Sequence, residues 1–450
     1  MLCIIISLLP FALAGNFLLV TMDQGRSHTR SFQPFMHRLQ EDNHTVSLYF
    51  NTFKPEIDFH MKNELIDLSK FLTNPFDDDA FGKLVWNQEF SIFTQHSASS
   101  RPTQPHLPRA HVFIEEITDE NWDLIFADSL FSVCGYGVVQ MSKRHHIMVH
   151  SSDVEGPHGT SKGFHKLVNH PFFSYGSYCT PKKALLGNVK DFVSDPSSRG
   201  TIVVAFGTLV PWNLSPPDKL DAFVQVFNNL SEYRIVWSYK GRPINVGRHV
   251  MISEWIPQND LLLDEKTVLF ISHGGLKRIA RETVDTLPSI TESSILICHA
   301  VVVVLPWPTV LHHLKSRLSY SVKEAACSGM PALFMPMFAE QKRNSWLAKH
   351  KGFADILNKF LLTQPYLEEK IRKMLNTPDF KTKGELLKKR FLDQPLSSLD
   401  HAAFIVNRLL KYGGRMPSFF YTRSLELSYF TTLNIDIIVV IPLIMLTILL

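Results

Sequence analysis

At 450 residues the chain is too long for one ordinary core and suits two domains with terminal extras. Apolar residues make up 45% and charged residues 20%. A net charge of +4, with no basic block and no aromatic-basic alternation, argues against a nucleic-acid partner. Cys3, Cys134, Cys179, Cys298 and Cys327 are scattered with no close ligand pair, which argues against a disulfide scaffold or a zinc site.

In chain order, Leu2 to Leu13 is almost wholly apolar, and Ala12-Leu13-Ala14 before Gly15 is a small-x-small pattern. Residues 1–14 therefore read as a signal peptide, with a buried first strand as the other reading. Phe17 to Thr21 predicts a strand, Asp23 to His28 a loop, Phe32 to Leu39 a helix and Thr45 to Phe50 a second strand, which together make one βαβ unit. Residues 51–109 are less patterned, and the prolines and polar clusters at 89–109 read as surface loop. Leu124 to Ala127, followed by Asp128, and Ile147 to Val149 are further strand candidates. These elements form an N-terminal domain over 15–185.

From about Pro181 the chain reads as a linker into a second domain over 186–410. Thr201 to Phe206 is a near-continuous apolar run bounded by Gly207, the pattern of a central parallel strand. Leu220 to Leu230 has helical spacing. Arg234 to Trp237, Val268 to Ile271 and Ala332 to Met335 predict strands, and a helix-like stretch covers Ser321 to Cys327. Two doubly wound, Rossmann-like α/β domains are the expected architecture, with ligands beyond the carboxyl ends of the strands.

Residues 411–436 read as a membrane-proximal segment. Ile437 to Leu450 carries no charge and one proline, Pro442, and as a helix would rise only about 21 Å against a hydrocarbon core of about 30 Å. It is expected to be a truncated transmembrane anchor, with a buried terminal helix as the other reading. Together with the leader it implies a single-pass type I membrane protein whose body faces the lumen of the endoplasmic reticulum. Sequons at Asn43, Asn213 and Asn229 agree with that placement.

Three strand ends carry residues suited to chemistry. Gly207-Thr208 offers backbone N–H groups and a hydroxyl. Ser272-His273-Gly274-Gly275 permits close approach of a phosphate to a following helix start. Ala339-Glu340-Gln341 follows the Met335-Pro336 strand exit. With Trp255 and Gln258 they could line a stacked, phosphate-binding pocket, although a histidine before two glycines is also a plain strand-to-helix turn.

The ordered set Trp255-Ile256-Pro257-Gln258, Phe270-Ile271-Ser272-His273-Gly274-Gly275, Ser321-Val322-Lys323-Glu324, Gly329-Met330-Pro331 and Pro336 through Gln341 to Asn344 resembles the signature of UDP-glucuronosyltransferases and related UDP-glycosyltransferases. The animal membrane-bound branch, nematode forms especially, looks nearest. The resemblance implies a GT-B fold: two Rossmann-like doubly wound domains with a C-terminal transmembrane helix. It implies a UDP-sugar as co-substrate, with no cofactor and no metal, a small lipophilic acceptor, and association with family members as a homo- or hetero-oligomer.

By that resemblance Trp255 stacks on uracil and Gln258 helps hold the nucleoside. His273, Gly274 and Gly275 face the diphosphate with Thr208 nearby. Ser321 opens the donor helix and Glu324 accepts from the ribose hydroxyls. Glu340 and Gln341 stand where the family contacts the sugar, with Asn344 at the last turn of the signature. Gly25 to His28 resembles the loop that bears the catalytic base, His28, and Asp128 matches its orienting partner. An imidazole with an ordinary pKa near 6.5 suits removal of a hydroxyl proton. The implied reaction is inverting transfer of glucuronate or glucose to an acceptor hydroxyl.

The sequence departs from the family pattern in two places. Residues 278–320, containing the nearly uncharged Ile295 to Leu311 with Pro306 and Pro308, separate the glycine loop from Glu324. Between Gly159 and Pro171 the N-terminal domain is shortened. The alternative reading is thus a non-catalytic membrane-bound homologue that associates with active relatives, or a defective gene product.

Overall fold

In the computed structural model of the protein, the described residues are 14–23, 29–52, 61–67, 79–88, 120–128, 141–150, 172–174, 178–207, 210–275, 312–315, 320–338 and 341–414, with Phe59, Ile117, Val138 and Val139 singly. They form two parallel sheets. The first follows β1 (Asn16–Asp23), helix α1 (Gln33–Glu41), β2 (Thr45–Thr52), β3 (Lys62–Asp67), helix α2 (Asp79–Asn87), β4 (Leu124–Asp128), β5 (His146–His150) and β6 (Phe172–Ser174). The second follows helix α3 (Gly187–Val193), β7 (Thr201–Ala205), helix α4 (Pro217–Asn229), β8 (Arg234–Ser238), β9 (Val250–Ser253), helix α5 (Gln258–Leu262) and β10 (Thr267–Ser272). After it come β11 (His312–Lys315), helix α6 (Tyr320–Ser328), β12 (Ala332–Phe334), helix α7 (Gln341–His350) and β13 (Ala354–Ile356). Helices α8 (Gln364–Asn376), α9 (Pro378–Leu392) and α10 (Ser398–Lys411) close the described chain.

The apolar runs become central strands because both of their faces are covered. Phe17 and Leu19 of β1 point into one core with Phe35, Phe50 and Phe126, while Leu18 and Val20 point into another with Tyr49, Trp122 and Ile125. A strand buried on both sides gains from apolar residues at every position, so it shows a continuous run and no alternation. In the second sheet Ile202 and Val204 of β7 join one core and Val203 and Ala205 the other.

The second sheet has the order β13-β12-β10-β7-β8-β9. The chain reverses direction of growth between β7 and β10, which places Gly207 and His273 at one switch point. The first sheet has the order β3-β2-β1-β4-β5-β11-β6, with its switch point between β1 and β4. Asp128 ends β4 there. Switch points are where an open parallel sheet leaves a crevice for ligand.

Two elements cross between the lobes. Helix α2, early in the chain, buries Phe81, Val85 and Trp86 in the core of the second lobe, and Trp86 Nε1 donates to the Pro211 carbonyl at 2.9 Å. Helix α10, at the far end, buries Ala402, Ala403, Ile405, Val406 and Leu409 in the core of the first lobe. The α2 crossing is closed by Lys359, whose buried Nζ donates to the carbonyls of Val85 (2.7 Å), Gln88 (2.6 Å) and Met337 (2.5 Å). Replacing it by methionine strands three carbonyls in a closed interior, where each unmet group costs about 1–3 kcal/mol. Lys359→Met is therefore expected to lower stability by roughly 2–4 kcal/mol, read as a lower urea midpoint, allowing for partial relaxation. An unchanged midpoint would show that these carbonyls find water instead.

Within residues 278–320, His312–Lys315 forms β11, which enters the first sheet between β5 and β6, parallel to both. Two expectations are corrected. The scattered cysteines do contain a disulfide, Cys179–Cys327, whose partners are 148 residues apart in sequence. Spacing rules detect near pairs and miss such a bond.

The second concerns the membrane. No helix among the described residues is long and apolar enough to cross a membrane. The described residues thus give no support to the expected transmembrane helix, nor to the membrane, signal-peptide and single-pass endoplasmic-reticulum assignments. Residues 1–13 and 415–450 lie outside the described residues. The last described helix, α10, is amphipathic and spends its apolar face on the first lobe.

Candidate active site

The second-lobe site is assembled from glycines that let three backbones approach one another. Gly207 has φ +73° and Gly274 φ +68°, left-handed values that side-chain-bearing residues rarely adopt. A Cβ on Gly275 would stand 2.2 Å from Nε2 of His273, and one on Gly207 would stand 3.1 Å from Cε1. The imidazole is thus lodged between two glycines. A Cβ on Gly274 would meet Ser345 Oγ at 2.2 Å, so α7 also presses on this loop.

The glycine loop and helix α6 meet directly although residues 278–320 intervene in sequence. The Ser321 amide donates to the Gly275 carbonyl at 3.4 Å, a long contact. The buried Ser272 hydroxyl donates to Ala205 O at 2.7 Å and its oxygen lies 3.1 Å from Ser321 Oγ, whose hydroxyl can donate to it. The amino end of α6 is therefore seated at the loop, where the positive end of its dipole favours an anion.

Around that end the nucleoside-binding candidates come together. Gln258 Nε2 donates to Glu324 Oε2 at 2.5 Å. Three residues before Gln258, Trp255 is 75% exposed, an indole face open to a planar partner. Buried Asn344 Nδ2 and Ser345 Oγ have no hydrogen-bond partner among the described residues. Buried polar groups are normally paired, so these two, on the helix that abuts the glycine loop, fit a ligand with many acceptor oxygens. Gln341 is differently employed: its Oε1 accepts from the amides of Met337 (2.8 Å) and Phe338 (3.2 Å), shaping the turn that precedes α7.

Lys323, next to Glu324, faces the other way. Burial pushes its amine down to about 7, against the opposing pull of Glu324, and Nζ lies 3.1 Å from the centre of the Tyr178 ring.

In the first lobe Asp128 is fully buried at the end of β4 and accepts from Thr21 Oγ1 of β1 at 3.1 Å. Its carboxylate thus sits at the switch point, beside β1, the strand that precedes residues 24–28 in sequence. His28, Thr208 and Glu340 lie outside the described residues. Thr21 and Ser345 were missed in the sequence. The signals were faint: a hydroxyl near the end of an otherwise apolar strand, and a small residue facing a glycine.

The sequence profile described as UDP-glucoronosyl and UDP-glucosyl transferase matches residues 113–292 and 301–450. UDP-glycosyltransferase UGT5 of Dactylopius coccus is 24% identical over 58% of this chain and 41% of its own length. UDP-glucuronosyltransferase 2A1 of Rattus norvegicus is 27% identical over 59% of this chain and 42% of its own length. The chain thus spans under half the length of these curated relatives. The matches run through animal proteins, and nothing found ties the chain to a nematode branch.

Among solved structures, the glycotransferase of kitacinnamycin superposes with a TM-score of 0.58 at 12% identity, covering 88% of this chain and 98% of its own. The calicheamicin glycosyltransferase CalG4 gives 0.56 at 11%, covering 89% and 99%. At such identities these likenesses speak to fold: a two-lobed, GT-B-like α/β architecture.

Proposed function

Because the chain belongs to the UDP-glucoronosyl and UDP-glucosyl transferase family, we propose that it transfers glucuronate or glucose from a UDP-sugar to a hydroxyl of a small lipophilic acceptor, with inversion at the anomeric carbon. The observation that carries this reading is the Gln258–Glu324 pair beside exposed Trp255, at the amino end of α6 and next to the His273-Gly274-Gly275 loop. Uracil stacks on Trp255. The ribose hydroxyls take over the hydrogen bonding that Gln258 now supplies to Glu324. The diphosphate lies at the glycine loop and helix end, within reach of Asn344 and Ser345.

In the reaction His28 takes the proton of the acceptor hydroxyl. The acceptor oxygen bonds to the anomeric carbon as the bond from that carbon to the phosphate oxygen breaks, and UDP departs. Negative charge growing on the diphosphate is met by fixed backbone donors and the helix dipole, which need no reorganisation at that moment. Asp128 orients the histidine and offsets the positive charge it acquires.

Calorimetric titration with UDP tests the nucleotide site without needing an acceptor. A hydrogen bond to a charged group is worth about 1.5–3 kcal/mol, so Glu324→Ala is expected to weaken UDP binding roughly ten- to a hundredfold. Correctly folded protein that binds no UDP, or a Glu324→Ala variant that binds it unchanged, would sink the reading.

A further inference from the structure

We propose that Tyr178 is a positioning residue that ties the donor helix α6 to the turn Thr29–Ser31, which follows His28 in sequence, and so sets the distance between bound nucleotide and catalytic base; this rests on the transferase reading above. Tyr178 lies just after β6, at the start of the passage between the lobes. Its ring is held under the Lys323 amine, 3.1 Å from the ring centre, and Lys323 precedes Glu324 on the helix. Its hydroxyl donates to the Ser31 carbonyl at 3.2 Å. Ser31 ends the short helical turn Thr29–Ser31, whose first residue directly follows His28 in sequence.

The attachment is fixed at a further point. Cys179, the next residue, is bonded to Cys327, one turn along α6 from Lys323. Disulfide and amine-ring contact together fasten the Tyr178 backbone and ring to the donor helix. The hydroxyl then reaches the first lobe, where the side chain also packs against the core built on β1 and α1. One residue thus touches the element holding Glu324 and the element leading from His28. Neither Tyr178 nor Lys323 is assigned a role by the transferase reading.

This arrangement matters because displacement between lobes acts on chemistry and spares nucleotide affinity. The nucleotide is held wholly by second-lobe groups, whereas turnover requires the base from the first lobe at a defined separation, and misplacement by about 1 Å can cost on the order of a hundredfold. Tyr178→Phe keeps the ring beneath Lys323 and removes only the bond to Ser31. Tyr178→Leu removes both.

Two measurements on the full chain test the proposal. Hydrogen exchange without nucleotide reads the tie itself: Tyr178→Phe is expected to raise exchange over residues 29–36 by roughly threefold or more while leaving β7 and β8 unchanged. Steady-state kinetics and UDP titration read its consequence. Here kcat is expected to fall on the order of tenfold in Tyr178→Phe and further in Tyr178→Leu, with UDP affinity within about twofold of the parent. Unchanged exchange at 29–36 would overturn the tie, and so would equal losses of kcat, UDP affinity and Tm, the pattern of a residue that merely stabilises. Absence of UDP binding in the parent would instead overturn the transferase reading, and the exchange result would still decide whether the tie exists.

Discussion

Leu314→Pro is expected to lower the thermal midpoint by roughly 5–10 °C, or to prevent the first lobe from folding at all. Leu314 pairs with Val149 of β5 on one side and with Phe173 of β6 on the other. With a strand on each side, its N–H meets a partner whichever way it points. Proline removes that donor and thrusts its ring into the ladder, which is why it is confined to edges and bulges of sheets. The unmet carbonyl costs about 1–3 kcal/mol, to which steric disruption of two ladders adds. Leu314→Ile, which suits a strand, serves as the control and should melt close to the parent.

Thermal unfolding followed by circular dichroism decides the matter. If Leu314→Pro melts with the parent, residues 312–315 are no part of the sheet. Excising 278–320 should then be harmless and could even improve the protein. If the strand is real, excision takes away the only segment among the described residues that joins β5 to β6, and the excised chain should be less stable than the parent.

Asp128→Asn and His28→Ala are each expected to reduce turnover by about two to four orders of magnitude while UDP affinity changes less than about twofold. Asp128 is fully buried and already accepts one hydrogen bond, from Thr21. Asparagine preserves its shape and removes its charge, so the imidazolium formed as the acceptor loses its proton goes uncompensated. Alanine at 28 removes the proposed base. Near-UV circular dichroism would confirm that packing survives in both. Turnover that stays near the parent, or UDP binding that falls in step with it, would refute the assigned roles.

The legible parts of the fold share one physical trait. β1, β2, β4, β5, β7, β8, β10 and β12 are announced by apolar runs, because interior strands of a parallel sheet bury both faces. The edge strand β3 (Lys62–Asp67) mixes charged with apolar residues, and β9 and β13 are short, so neither periodicity nor composition marks them. Helix α2 was hidden for another reason. Its apolar face is complementary to a lobe that begins over a hundred residues later, and a local pattern does not reveal its partner.

The family signature names Gln258, His273, Gly274, Gly275, Ser321 and Glu324 as candidates, but how they assemble is not written in any local pattern. Gln258 and Glu324 are 66 positions apart and meet only because helices α5 and α6 pack together. The join of Gly275 to Ser321 bridges residues 278–320, which depart from the family pattern.

The crossing of β11 and α10 into the first lobe has a consequence for how the protein is made. When residue 275 leaves the ribosome, every strand of the first sheet but β11 has been synthesised, yet β5 and β6 still lack the strand that joins them. The apolar surface of that sheet still awaits Ile405, Val406 and Leu409. The first lobe must therefore be completed after translation of almost the whole described chain, through contacts of very high sequence separation, which slow folding and prolong exposure of apolar faces. The nascent chain is a natural client for a holding chaperone, and premature termination anywhere before residue 398 should yield an aggregating fragment and no independent half-protein.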